Sequence, residues 1–188
     1  MAQTRELLTQ ERRLASLLCR PRPPAGGPVD PGTFRSVLGR LATGVVAVTA
    51  LDREGLPSGL AVNSFTSVSL DPPLVSFCVA HSSTSWPRLR AAQVITVNIL
   101  AEHQRAVCAQ MATRGGDKFA GLTWRESPGG NPVLDGALAW IDCRVEAEHP
   151  AGDHVIVVAR VLQLDTHADG GPLVFYNRSY GGFIPGTI

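Results

Sequence analysis

Asn63, Ser64, Thr66, Ser67 and Ser69 place five short hydrogen-bonding side chains within seven positions, just ahead of a double proline. Alternation along a strand would send such residues to one solvated face, yet Ser64, Thr66 and Ser67 do not share a face. Two readings stand: a strand edge facing water, or a wall that turns side chains and backbone N–H groups toward a polar, planar ligand. Ser82, Ser83, Thr84 and Ser85 form a second cluster, directly before an amphipathic segment. A helix cap needs only one of those hydroxyls. Four in a row also suit an anion such as phosphate, which free N–H groups at a helix start would attract. Lys118 is the only lysine among 17 Lys and Arg residues. It reads plainly as a solvated loop charge, or with neighbouring Arg114 as a partner for an anion. His154, in "AGDHVIVVARV", sits at the mouth of a run of branched apolar residues. It is either the polar residue where a turn meets a strand or an imidazole facing a ligand.

The absent patterns narrow the chemistry. No G-x-G-x-x-G follows a strand, and no G-x-x-x-x-G-K-[ST], G-x-S-x-G or H-E-x-x-H occurs. A Rossmann dinucleotide site is therefore not expected. The 5 histidines (81, 103, 149, 154 and 167) lack metal-ligand spacing, and no metal site is expected. Cys19, Cys78, Cys108 and Cys143 contain no C-x-x-C pair and suggest neither a zinc site nor a disulfide scaffold. Unpaired cysteines of this kind point to a reducing cytoplasm.

The elements that must position these residues are mostly strands. With 44% hydrophobic and 18% charged residues, the chain is globular in composition. A net charge of +1 gives no field for nucleic acid or anionic lipid. No apolar run reaches membrane-spanning length, and charges at Arg5, Glu6, Glu11, Arg12 and Arg13 interrupt any secretion-signal core. "CRPRPPAGGPVDPG" breaks the chain, so residues 1–28 are expected to form a tail, flexible or ordered by a partner, and residues 29–188 a single domain. Asp30 and Pro31 predict a cap and first turn for a helix over "PGTFRSVLGRLA". After Gly44, "VVAVTAL", "LVSFCVA", "VITVNIL", "LAWIDCRVEAEH" and "HVIVVARVLQL" are strand-length β-branched runs. Only "STSWPRLRAA" and "AEHQRAVCAQMA" read as further helices. Strands without β-α-β alternation predict a mainly β fold, a closed or nearly closed antiparallel barrel with a few helices.

Taken in order, these segments resemble the short-chain flavin reductases, the reductase components of two-component flavin-dependent monooxygenases. The resemblance rests on "FRSVLGRLATGVVAVTA", "GLAVNSFTSVSLDPPLVSFCV", "VITVNIL", "KFAGL", "GDHVIVVARV" and "PLVFYNRSYGGF", together spanning roughly residues 31–183. It implies a Greek-key-like split β-barrel that binds FMN or FAD without a Rossmann unit and works as a homodimer. Ala61, Val62, Asn63 and Ser64 would then line the flavin ring and ribityl chain, with Ser67 and Val68 continuing that wall. Ser82, Ser83, Thr84 and Ser85 would meet the flavin phosphate, and Lys118 and Phe119 would close over it. His154, the candidate catalytic residue, would guide nicotinamide, with Arg178 and Tyr180 on the same side. The implied activity is hydride transfer from NADH or NADPH to the flavin, which is passed in reduced form to a separate monooxygenase.

Two other readings keep the same fold. One is a split-barrel oxidase of the pyridoxamine-phosphate oxidase or haem-handling kind, the other a non-catalytic flavin carrier. The chain also departs from the family pattern at one point. Where a glycine often precedes the final tyrosine by two places, "FYNRSY" carries Arg178.

Overall fold

The computed structural model describes residues 27–186; the expected tail lies almost wholly outside them. The first element is helix α1 (Pro31–Leu38). Asp30 caps it: its Oδ2 accepts the Thr33 N–H at 2.7 Å and the Thr33 hydroxyl at 3.1 Å. Those two bonds, the backbone one first, hold the Asp30 carboxyl below its ordinary pKa. Phe34, Val37 and Leu38 of this helix are exposed.

From Val37 onward the residues form one compact unit. Its centre is a sheet of seven antiparallel strands: β2 (Val46–Leu51), β3 (Pro57–Val62), β4 (Thr66–Leu70), β5 (Pro73–Ala80), β6 (Ile95–Ile99), β9 (Ala139–Ala151) and β10 (His154–Thr166). Their spatial order is β3-β2-β6-β9-β10-β5-β4. The edge strands β3 and β4 are consecutive in sequence, so residues 63–65 join the two ends of the sheet covalently. That is the split in the barrel: the circle closes through chain rather than through a hydrogen-bond ladder. The expected mainly β barrel is thus observed, with β1 (Thr43–Gly44), β11 (Val174–Tyr176) and β12 (Ser179–Gly181) in a small second sheet. A third, formed by β7 (Trp124–Glu126) and β8 (Pro132–Leu134), completes the strands. Helix α2 (Trp86–Arg90) follows β5, and helix α3 (Arg105–Ala112) follows β6 after a 3-10 turn. No described helix is long and apolar enough to cross a membrane.

Burial explains the strand sequences. In β2 the run from Val45 to Ala50 is buried throughout because its two faces meet different cores. Val46, Val48 and Ala50 join Val75, Phe77, Val79, Val97 and Val157 inside the barrel. Val45 and Ala47 face Leu100, Cys108, Met111, Phe119 and Leu134, beneath α3. A strand covered on both faces loses its alternation, as "VVAVTA" does. β9 and β10 are each 13 residues long and pair as one hairpin, with Ala151 opposite His154 across Gly152 and Asp153. Gly152 takes φ +65°, the positive value that a tight hairpin requires at its first turn position.

The outer face of the same sheet carries a buried polar network absent from the sequence reading, sealed beneath the 127–134 segment. Thr49, Thr96, Asn98 and Asp142 are each at most 1% exposed. The Asn98 amide donates to Thr49 Oγ1 at 3.0 Å and to the Pro132 carbonyl at 3.2 Å, and its Oδ1 accepts the Leu134 N–H at 2.8 Å. Asp142 accepts the Thr96 hydroxyl and, at 2.8 Å, the Gly129 N–H. Buried polar groups are tolerated when partnered in this way. Here they pin the 127–134 segment across β2, β6 and β9.

Candidate active site

A cavity of about 380 Å³ opens against β3, the end of β5, and the segment from Met111 to Lys118. It falls in the range usual for small-molecule sites, roughly 300–1,000 Å³. The local chain explains each wall. β3 delivers Leu60, Ala61 and Val62, then the crossover delivers Asn63 and Ser64. Ser64 is held firmly: its hydroxyl accepts the Cys78 N–H at 2.9 Å and reaches the Cys78 carbonyl at 3.4 Å. It thereby continues the β4–β5 ladder one step past the Thr66–Ser76 pair. The turn after β5 supplies Ser82, Ser83, Thr84 and Ser85, and β10 supplies His154 at its first residue, paired with Ala80.

Gly59 lets the opposite wall approach. A Cβ there would lie 2.6 Å from Met111 Sδ and 3.4 Å from the Phe119 ring, so any side chain would displace the Met111 thioether. Lys118 fixes the same junction. Its ammonium donates to the Gly59 carbonyl at 3.1 Å and to the Met111 carbonyl at 2.8 Å. With three N–H donors in all, one remains for the cavity. Burial lowers the Lys118 pKa from its ordinary value.

The anion-facing end differs in one respect from the sequence reading. α2 is only five residues long and Ser85 makes no side-chain cap bond. Instead Ser83 Oγ accepts the Trp86 N–H at 3.2 Å. So short a helix sums little dipole, and attraction for an anion falls to side chains. Arg114 supplies it from across the cavity, with Nη2 donating to Ser82 Oγ at 3.3 Å. At the other end His154 Nδ1 pairs with Asp153 Oδ1 at 2.7 Å, which leaves Nε2 as the nitrogen available to a ligand. The same contact lowers the Asp153 pKa, first through the hydrogen bond and then through the charge of His154.

Of the residues singled out from sequence, Ala61, Val62, Asn63, Ser64, Ser82, Ser83, Thr84, Ser85, Lys118 and His154 meet at this one cavity. Ser67, Val68, Phe119, Arg178 and Tyr180 are not among its lining residues. Phe119 is buried behind Gly59 and lines a neighbouring cavity. Ser67 and Val68 lie along β4, both exposed. Tyr180 packs its ring on Phe175, 5.1 Å between centroids, and its hydroxyl lies 3.4 Å from Cys108 Sγ. That contact, more than burial, pushes the Tyr180 pKa up to about 12. Arg178 occupies the β11–β12 hairpin tip, where Tyr176 pairs with Ser179 across Asn177 at φ +47° and Arg178 at φ +64°. Both turn residues are left-handed, which is why a glycine suits this position and why an arginine there carries strain.

Sequence reasoning missed Leu60, Cys78, Val79, Ala80, Met111, Ala112 and Thr113 as cavity lining. Their only signal was position: on β3, at the end of β5 and at the last turn of α3.

The residues suit a flavin: a wall formed by the chain of β3 and the end of β5 for a flat ring, hydroxyls and Arg114 for a phosphate. Comparison with known proteins bears on this directly. Residues 38–183 match the model of the flavin reductase like domain. The chain belongs to this family. It is 49% identical to a flavin reductase of Pseudomonas putida over 82% of this chain and 91% of that protein. It is 45% identical to the HsaB reductase subunit of a flavin-dependent monooxygenase from Rhodococcus jostii, over 84% of this chain and 80% of that one. Among solved structures, nitrilotriacetate monooxygenase component B from Mycobacterium thermoresistibile superposes with a TM-score of 0.78 at 45% identity, covering 82% of this chain and 87% of that one. As a flavin reductase, the chain needs no Rossmann unit for its nucleotides, in keeping with the absent glycine fingerprint.

Proposed function

We propose that this flavin reductase transfers a hydride from NADH or NADPH to FMN or FAD and supplies reduced flavin to a separate monooxygenase. The convergence of the 61–64 wall, the 82–85 hydroxyls and His154 on one cavity carries the reading. A flavin held there would supply the hydride acceptor, and what is asked of the protein's own residues is binding and orientation. Ala61, Val62, Asn63 and Ser64 line the ring and ribityl chain, and Ser82 to Ser85 meet the phosphate. Arg114 and the third Lys118 N–H balance the phosphate charge. The chain of β3 and the end of β5 covers one side of the ring. His154, its Nδ1 held by Asp153, offers Nε2 to the nicotinamide nucleotide and so orients the donor. Arg178 and Tyr180 stand outside this set in the single chain.

The protein works as a homodimer. Val68 and Leu70 of β4 and Leu162 and Leu164 of β10 are exposed large hydrophobics on one sheet, with Leu70 95% exposed, and a partner covering them would remove that apolar surface from water. A cytoplasmic setting suits its free Cys78, Cys108 and Cys143.

Steady-state turnover with both nicotinamides and both flavins in a matrix tests the activity. Flavin-dependent nicotinamide oxidation is expected. Tight flavin binding without turnover would favour the carrier reading, and an intense Soret band on the purified protein would favour the haem-handling one. Sedimentation of the full chain at two times the monomer mass checks the dimer.

A further inference from the structure

A second cavity, about 500 Å³, adjoins the first and shares Thr84, Ser85 and Lys118 with it. Nothing in the mechanism above uses it. It begins on the phosphate side of that septum and does not include His154, so it extends the groove away from the nicotinamide end. Its composition is mixed in a way that fits half a nucleotide. Leu56, Pro57 and Phe119 offer apolar surface to a base, and Asp117 offers a carboxylate to ribose hydroxyls. Ser58 and Ser85, 8% and 7% exposed, bring hydroxyls to its inner wall.

The cations bracket the septum. Arg114 stands on the side of the first cavity and Arg88, exposed on α2, on the side of the second, with Lys118 between them. Lys118 commits two of its donors to backbone carbonyls, so it cannot neutralise two phosphates alone. A mononucleotide has one phosphate and needs only Arg114 and the hydroxyls. Two guanidinium groups on opposite sides of Thr84 and Ser85 match a pyrophosphate that crosses from one cavity to the other.

We infer that the two cavities form one groove for flavin adenine dinucleotide, with the adenosine half in the second cavity and Arg88 on its adjoining phosphate. The inference rests on the flavin reading of the first cavity. It makes Arg88 a specificity-determining residue for FAD over FMN.

The test is equilibrium binding of each flavin to the flavin-stripped full chain, read by quenching of flavin fluorescence. FAD is expected to bind at least about tenfold more tightly than FMN. Arg88→Ala should remove most of that margin by weakening FAD while FMN affinity stays as in the parent. Leu56→Trp, at an exposed position that fills the second cavity, should do the same without touching charge. Equal affinity of the parent for both flavins overturns the inference, as does an equal effect of either variant on FMN and FAD. A rise in the KM for NADH on Arg88→Ala, with both flavin affinities unchanged, would assign the cavity to the nicotinamide dinucleotide and also overturn it. If neither flavin binds, the reading of the first cavity fails as well; FMN binding without a preference for FAD defeats only the extension.

Discussion

Two regions of this molecule are built from the same short polar residues and do opposite things with them. In one, Thr49, Thr96, Asn98 and Asp142 point outward from the barrel, are sealed from water under the 127–134 segment, and bond to each other or to that segment. In the other, Asn63, Ser64, Ser82, Ser83 and Thr84 line an open cavity, all at least partly exposed. The first region spends its hydrogen bonds on the fold. The second leaves most of its hydroxyls to water and so to any ligand that replaces it. What separates them is the number of donors and acceptors left over. The two residues that straddle the divide, Ser64 and Lys118, show this well. Each anchors backbone and keeps part of its capacity facing the cavity.

That contrast breaks most visibly at Asn98. Asn98→Leu keeps the volume but leaves the Leu134 N–H without its partner under the 127–134 segment and takes from the Pro132 carbonyl one of its two donors, the Thr49 hydroxyl being the other. A loss of roughly 2 kcal/mol in unfolding free energy is expected, since an orphaned buried group costs about 1–3 kcal/mol. Denaturant melts measure it, and the flavin affinity of the folded protein should not move. A drop in flavin affinity as large as the drop in stability would mean the two regions are one.

Arg114→Ala makes the converse cut. The guanidinium is exposed and, among the described residues, its one side-chain partner is Ser82, so stability should hardly change. Flavin affinity is expected to fall by about tenfold to a hundredfold, the value of one charge-assisted hydrogen bond to a phosphate. Titration of riboflavin, which has no phosphate, sharpens the point: its affinity should be the same for the parent and the variant. A smaller effect is expected at His154. His154→Ala should raise the KM for the nicotinamide about fivefold, one neutral hydrogen bond's worth, with flavin binding largely retained. If flavin binding is lost instead and the nicotinamide dependence is unchanged, the imidazole belongs to the flavin and not to the donor.

The sequence made one of these regions readable and not the other. β-branched runs marked the long strands, and Asp30–Pro31 marked the start of α1, because those signals are local. "NSFTSVS" and "HSSTS" stood out because their polar residues crowd together. Their convergence with His154 came from family resemblance, since it depends on β5 lying between β4 and β10, which no local pattern encodes. The network residues appear singly, a threonine in "VAVTA", an asparagine in "TVNIL", an aspartate in "WIDCR". One polar residue within an apolar strand gives no sign of whether a partner waits 30 or 50 positions away. Arg114 was legible only as a nearby charge. Arg178 was legible as a departure, and its positive φ supplies the physical reason.

The least energetic probe of the contrast uses the cysteines, which fall on both sides of it. Cys143 is fully buried next to Asp142, and burial first, then the neighbouring carboxylate, pushes its thiol up to about 12. At pH 8 that leaves a thiolate fraction on the order of 10⁻⁴, so both access and chemistry protect it. Cys108, beneath α3, is raised by burial in the same direction. Cys78 is half-buried and lines the flavin cavity. Iodoacetamide should therefore alkylate Cys78 in the native protein while Cys108 and Cys143 wait for denaturant, with peptide mass mapping to separate the sites. Saturating flavin should slow the labelling of Cys78 and leave the other two as they were. Native labelling of Cys143 would show that the barrel interior opens to solvent. Indifference of Cys78 to flavin would show that the ligand does not cover the end of β5, and the cavity would then have to be occupied from the α3 side alone.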